Sequence, residues 1–255
     1  MTQPPAEPIE GEAIEGEATP PPGSAGGAEE SAGLAEDLLL LLFQPNPGGR
    51  AGGTIAGENT LFYPLAGAVL ADLAFGGHVH TPPDGDARVD AVASSPPSDD
   101  LLRAAWDHLV DKPRGVQTML ATIGPSLRGP LLERLVARGD ISRTTRRRLG
   151  LFDTTVLEDG TTGRRAGLLA QVRDVLVEGA EPRPRVAALA ALLSASGTLP
   201  QFDPEIPWSS GVINRAKEFE QGNWGAGAAG DAVTRTVAST IVSSVVTATA
   251  VQPRT

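Results

Sequence analysis

Apolar residues recur at helical spacing along most of this chain. Leu34, Leu38, Leu41 and Leu42 follow the 3.6-residue repeat, and Glu36 and Asp37 stand in the first turn, where a carboxylate favours the positive end of the helix dipole. Pro45-Asn46-Pro47-Gly48-Gly49 ends that helix. A second helix is expected from about Thr60 to Phe75; its small residues Ala66, Gly67, Ala68 and Ala71 allow close helix packing, and Gly76-Gly77 stops it. His78-Val79-His80 and Arg88 to Val92 then flank the turn chemistry of Pro82-Pro83-Asp84-Gly85-Asp86, which predicts a strand pair. Ser98 reads as an N-cap, and Leu102, Trp106, Leu109 and Val110 form the apolar stripe of the helix behind it.

The second half continues in the same way. Pro130 to Gly139 reads as a compact helix with Leu131, Leu132, Leu135 and Val136 inward, Pro130 at its first position and Gly139 as its C-terminal cap. Ile141 to Asp153 reads as two short strands. Helices are expected over about Gly163 to Glu178 and Arg185 to Ala195, the latter with Val186, Leu189, Leu192 and Leu193 on one side. A loop marked by Pro200, Pro204 and Pro207 leads to a final helical pair, about Val212 to Gln221 and Ala232 to Ala250. The fold class is therefore mainly α: a single helical domain over residues 32–251 with one or two short β-hairpins. Residues 1–31 lack such periodicity. Rich in Pro, Gly, Glu and Ala, they cannot bury enough apolar surface to offset ordering entropy, and a disordered tail is expected.

Composition narrows the classes. Aromatic residues make up only 4% of the 255, so the core must be aliphatic. Cysteine is absent, which excludes disulfides and thiolate metal sites. The run Leu38 to Phe43 is far shorter than the ~20 apolar residues that span a bilayer, and polar residues interrupt Val237 to Val251. With no basic residue and no apolar core before Leu38, no secretory signal is expected. Charge is unevenly placed. Residues 1–37 hold nine of the 31 acids and no base, so the acidity that gives the net −10 sits almost wholly there. Lys112 to Arg148 holds nine bases against Glu133 and Asp140.

Catalytic patterns are scarce. His78 and His80 could share a strand face and ligate a metal, but no third ligand is suitably spaced, and a solvated hairpin is the simpler reading. Gly225-Ala226-Gly227-Ala228-Ala229-Gly230 satisfies G-x-G-x-x-G, but no strand precedes it and no acid follows about 20 residues on. It reads as a close helix joint. No enzyme, metal or cofactor is expected. The basic segment is the stronger signal. A helix beginning at Pro130 would present free N–H groups beside Arg128, a setting for a phosphate. Arg134 and Arg138 would face outward on that helix, with Arg146-Arg147-Arg148 beyond. The alternative is a winged-helix-like nucleic-acid-binding protein whose arginines grip a phosphate backbone; it lacks a recognition helix upstream, and no nucleic acid is expected.

LAEDLLLLLF (34–43), LAGAVLADLAFGG (65–77), LLRAAWDHL (101–109), LLERLVARGDI (131–141) and RVAALAALLSASGTL (185–199) stand in an order that resembles the Golgi phosphoprotein 3 family, most closely its bacterial branch. The resemblance implies a mostly helical peripheral membrane protein that recognises anionic, phosphoinositide-like lipid, phosphatidylinositol 4-phosphate in the eukaryotic members. It also implies binding to cytosolic tails of membrane proteins, on the cytoplasmic, inner face of a membrane. The family pocket uses an aromatic residue, an Arg on the second helix, and two Arg three residues apart. Register on Gly139 places the last of these at Arg128, the other of the pair at Pro125, the second-helix position at Ala66, and the aromatic at Phe62 or Tyr63. The candidate headgroup residues are thus Arg128, Arg134, Arg138, Tyr63 and Phe62. Self-association through a hairpin edge is a further expectation.

Overall fold

The computed structural model describes residues 32–45, 52–82, 87–148, 152–223 and 232–251, without the side chains of 146–148, 152–153, 232–238 and 251. The expectations for the tail (1–31), for part of the turn at Pro82 to Asp86, and for the glycine run 225–230 fall outside these residues. Eight α-helices appear among them: α1 (Leu34–Leu42), α2 (Phe62–Phe75), α3 (Asp100–Asp107), α4 (Val116–Ala137), α5 (Arg164–Leu176), α6 (Pro184–Ala195), α7 (Ser210–Glu220) and α8 (Ala232–Val251). None is long and apolar enough to cross a membrane.

Helix α1 is the hub of the core. Leu34 and Leu38 to Leu42 are fully buried, so the helix is enclosed on all sides rather than along one stripe. Helices α2, α4, α5 and α6 surround it, and α8 lies against α2. The small residues of α2 do what their size predicts. A Cβ on Gly67 would come within 2.3 Å of Val245 Cγ2, so α8 rests directly on the α2 backbone there. On another side, a Cβ on Gly124 would lie 2.6 Å from the Phe62 carbonyl oxygen, which fixes the start of α2 against the middle of α4.

Strands are short and peripheral. β1 (Phe43–Gln44) pairs antiparallel with β2 (Thr54–Ile55). β3 (Val79–His80) and β4 (Arg88–Ala91) form the expected pair, Val79 opposite Ala91. A third strand, β5 (Arg114–Gly115), joins the far side of β4; two residues carry no periodicity from which to foresee it. β6 (Ile141–Arg148) and β7 (Phe152–Asp159) form one hairpin of eight pairs, longer than the two short strands expected over Ile141 to Asp153. Thr144, Thr145, Thr154, Thr155 and Val156 suit strands, but the arginines between them mask the alternation.

Two local readings shift. Asp99, not Ser98, caps α3: its Oδ1 accepts from the N–H groups of Leu101 and Leu102, at 2.9 Å each. Pro130 does not open a helix. It lies inside α4, as does Pro125, and the helix begins fourteen residues earlier at Val116. Each proline removes one intrahelical bond, a cost that α4 meets by burying Met119, Leu120, Leu127, Leu131 and Leu135. The C-terminal end is as read. Gly139 is left-handed (φ 76°), with Gly139 N–H on the Val136 carbonyl and Asp140 N–H on that of Leu135, a Schellman stop.

Buried acids on α1 and α2 tie these elements together. Asp72 of α2 accepts from Leu34 N–H at 2.6 Å and so caps α1 from another helix, while Arg185 of α6 donates to its other oxygen at 2.7 Å and to the Ala32 carbonyl at 3.1 Å. Burial pushes the Asp72 carboxyl up to about 6 against the pull of Arg185 and the two amides. Arg164 of α5 bridges Asp37 of α1 and Asp140 at the hairpin base.

Candidate lipid-headgroup site

The contact at Gly124 decides what lies beside Arg128. Arg128 stands one turn further along the same face of α4, so its side chain reaches the segment that leads into α2. There Arg128 Nη2 meets Glu58 Oε1 at 2.6 Å, with both side chains about half exposed (45% and 54%). The half-buried rings of Phe62 and Tyr63 stack with centroids 4.2 Å apart at the same end of α2. One cation on α4, one acid in the segment before α2 and an aromatic pair at the start of α2 therefore gather where the two helices approach at Gly124. The sequence offered no sign of Glu58, which lies 70 residues from Arg128 in the chain. The positions aligned with the other pocket arginines add no charge: Ala66 is fully buried in α2, and Pro125 is part of α4.

Arg134 and Arg138 occupy a different flank. Arg138 is exposed and Arg134 partly so, as expected of outward positions, but both are paired with acids. Arg134 Nη1 donates to Asp99 Oδ2 at 2.5 Å and lies 3.4 Å from Glu36 Oε1, and Arg138 Nε lies 3.1 Å from Glu36 Oε2. Glu36 is 2% exposed. A carboxylate that buried needs cations, and α1 presents it to the one side of α4 that carries two arginines a turn apart. Hydrogen bonding to Asp99 raises the Arg134 pKa further, against its own burial. Burial raises the Asp99 carboxyl, yet Arg134 and two backbone amides outweigh it and leave it below its ordinary value. Arg143 is engaged too, forked onto Glu133 at 2.6 and 2.8 Å.

Four of the nine bases of the segment are thus paired within the fold, and the side chains of Arg146, Arg147 and Arg148 lie outside the described residues. Arg128, Arg134, Arg138 and Arg143 each meet a carboxylate, and three of those four acids lie outside the segment counted from sequence. The helix start expected beside Arg128 is also missing, so free N–H groups of α4 contribute nothing there.

The other chemistry candidates resolve simply. His78 Nδ1 lies 2.7 Å from the Ser95 carbonyl, and the His78 carbonyl accepts from Trp106 Nε1 at 3.0 Å; His80 sits 3.9 Å from Asp90. Among the described residues no group of three or more His or acids is arranged to hold a metal. A hairpin follows α4 as a wing would, but α4 is one 22-residue helix in contact with α1, α2 and α8, unlike the short helix expected from Pro130.

Comparison with known proteins bears on the whole domain rather than on one pocket. No curated protein matches the chain. The sequence model of one family does match, over residues 34–236, from the first residue of α1 into α8. That span takes in all seven strands, the α2–α4 contact at Gly124 and the acid-centred packing of α1, so the chain belongs to the Golgi phosphoprotein 3 (GPP34) family.

Proposed function

We infer that this protein is a non-enzymatic peripheral membrane adaptor that recognises an anionic lipid headgroup, phosphatidylinositol 4-phosphate by family resemblance, on the cytoplasmic face of a membrane. Membership in the family fits a lipid-binding role in general. What supports the site is that Arg128 of α4 pairs with Glu58 just before the end of α2 that carries Phe62 and Tyr63, and that this pair is half exposed. Exposed pairs of this kind contribute about 0–1 kcal/mol. A phosphate monoester, with more charge and a better match to the guanidinium fork, can displace Glu58 at little cost. The half-buried rings offer apolar body to the interfacial region of the bilayer. Arg134 and Arg138, held on Glu36, serve in this reading to pin α1 to α4. Cytosolic tails of membrane proteins are the partner class that the family suggests.

Vesicle flotation tests the reading. Full-length protein should float with neutral vesicles containing phosphatidylinositol 4-phosphate and not with neutral vesicles alone. Arg128→Ala should weaken that binding about ten- to hundred-fold, the loss of one charge-assisted contact set. Equal flotation of wild type and Arg128→Ala would rule out the site.

A further inference from the structure

A cavity lies between α5 and α6, away from Arg128. It encloses about 160 Å³ and is walled by Leu168, Gln171, Arg183, Arg185, Leu189 and Asp37. The Arg183 side chain meets Gln171 Oε1 at 3.2 Å, and among the described residues it has no carboxylate partner. Arg128, Arg134, Arg143, Arg164, Arg173 and Arg215 each have one, whereas Arg114, like Arg183, meets only an uncharged acceptor. Arg185, across the same cavity, spends its donors on Asp72, Ala32 and Asp37 through Nη1 and Nη2. Of its five hydrogens these contacts engage three, which leaves the Nε–H and one on Nη1. Asp37 is the one acid in the wall, and it is already shared between Arg164 and Arg185.

We propose that this α5–α6 cavity binds a phosphate-class oxyanion between Arg183 and Arg185. The volume holds about five waters at ~30 Å³ each, the scale of a tetrahedral anion with part of its shell and too small for a drug-sized ligand. Two guanidiniums in one wall lining give the planar, multi-donor contact that phosphate oxygens favour. Leu168 and Leu189 lower the local polarity and strengthen those contacts. The site is distinct from the headgroup site: Arg185 is tied to Asp72, ten residues and about 15 Å along α2 from Phe62. It does not depend on the reading of Arg128.

The test uses the full chain and two sources of phosphate. Thermal unfolding is followed against inorganic phosphate at constant ionic strength, with chloride as the reference. Wild type should show a saturable rise in midpoint. Arg183→Ala should need about ten-fold more phosphate or show no rise, and Gln171→Glu, which offers Arg183 a carboxylate of its own, should behave alike. Arg173→Ala, whose side chain pairs with Glu178 and does not line the cavity, should respond as wild type. In the second arm, flotation on neutral vesicles carrying a phosphate-monoester lipid assigns the source. Loss with Arg183→Ala there points to a headgroup, and loss only with inorganic phosphate points to a free anion. No response in wild type, an equal response in wild type and both cavity variants, or an equal loss in Arg173→Ala overturns the proposal. Flotation that ignores Arg128, with a phosphate response that still needs Arg183, would instead remove the headgroup reading alone.

Discussion

Removing Glu58 should make this protein bind anionic membrane more tightly. Arg128 and Glu58 lie 2.6 Å apart with about half of each side chain in water. A lipid phosphate must break that pair before it can use the guanidinium. Exposed pairs resist by about 0.2–1 kcal/mol, so Glu58→Gln should lower the dissociation constant roughly 1.4- to 5-fold through release of Arg128 alone. Loss of a negative charge that would face an anionic surface adds a long-range part, on the order of another 1 kcal/mol at low salt and less as screening grows. Glutamine preserves shape, and the site is exposed, so folding should be unaffected. The assay is co-sedimentation with neutral vesicles, phosphatidylserine vesicles and phosphatidylinositol 4-phosphate vesicles at two salt concentrations. The gain should be absent on neutral vesicles, present on both anionic ones, and should shrink with salt. Relative to Arg128→Ala, the Glu58→Gln/Arg128→Ala double variant should keep only the long-range, salt-sensitive part, because release of Arg128 acts through one contact. A Glu58→Gln protein that binds anionic vesicles no better than wild type would refute the reasoning that Arg128 is the headgroup cation held in reserve.

Other outcomes follow from the packing. Arg134→Ala strips Glu36 and Asp99 of their shared cation and should cost about 3 kcal/mol, read as a lower urea midpoint, while leaving vesicle affinity of the folded protein unchanged. Gly67→Ala drives a methyl against Val245 and should lower stability by about 1–3 kcal/mol despite the better helix propensity of alanine, seen as a fall in melting temperature. Asp72 holds its proton more tightly folded than unfolded, so its contribution is full below about pH 4 and is lost as pH rises through about 6. The difference in unfolding free energy between wild type and Asp72→Asn should therefore change by about 2 kcal/mol between pH 4 and 7. A difference flat with pH would contradict the burial assigned to this carboxyl.

Helix positions were legible because they rest on local rules. The Leu34 to Leu42 spacing, the small residues of α2, the glycine stop at Gly139 and the apolar side of α6 are all properties of neighbours within a turn or two. The errors at Ser98 and Pro130 have the same origin. Asp99 and Ser98 are both good caps, and only the chain path selects one. A proline opens a helix more often than it sits within one, unless long-range burial of the kind α4 makes outweighs the lost bonds. Charge was where sequence reasoning went furthest astray. A count over Lys112 to Arg148 implies an open basic face, but Coulomb interactions act through space, and the opposing acids come from α1, the segment before α2, and the α3 cap.

By itself, then, the sequence determined the helical class and the family, since both follow from periodicity and the order of local motifs. It also carried Arg128 and the aromatic pair as candidates, through register alone. Only the tertiary structure decided which arginines remain available to a ligand. Glu36 is buried on α1 and claims Arg134 and Arg138, whereas Glu58 holds Arg128 through a half-exposed contact, and Arg183 faces a cavity with an amide for company. The difference is burial: a guanidinium locked onto a desolvated carboxylate is committed to the fold, and one paired at the surface, or with no acid at all, is free to meet a phosphate.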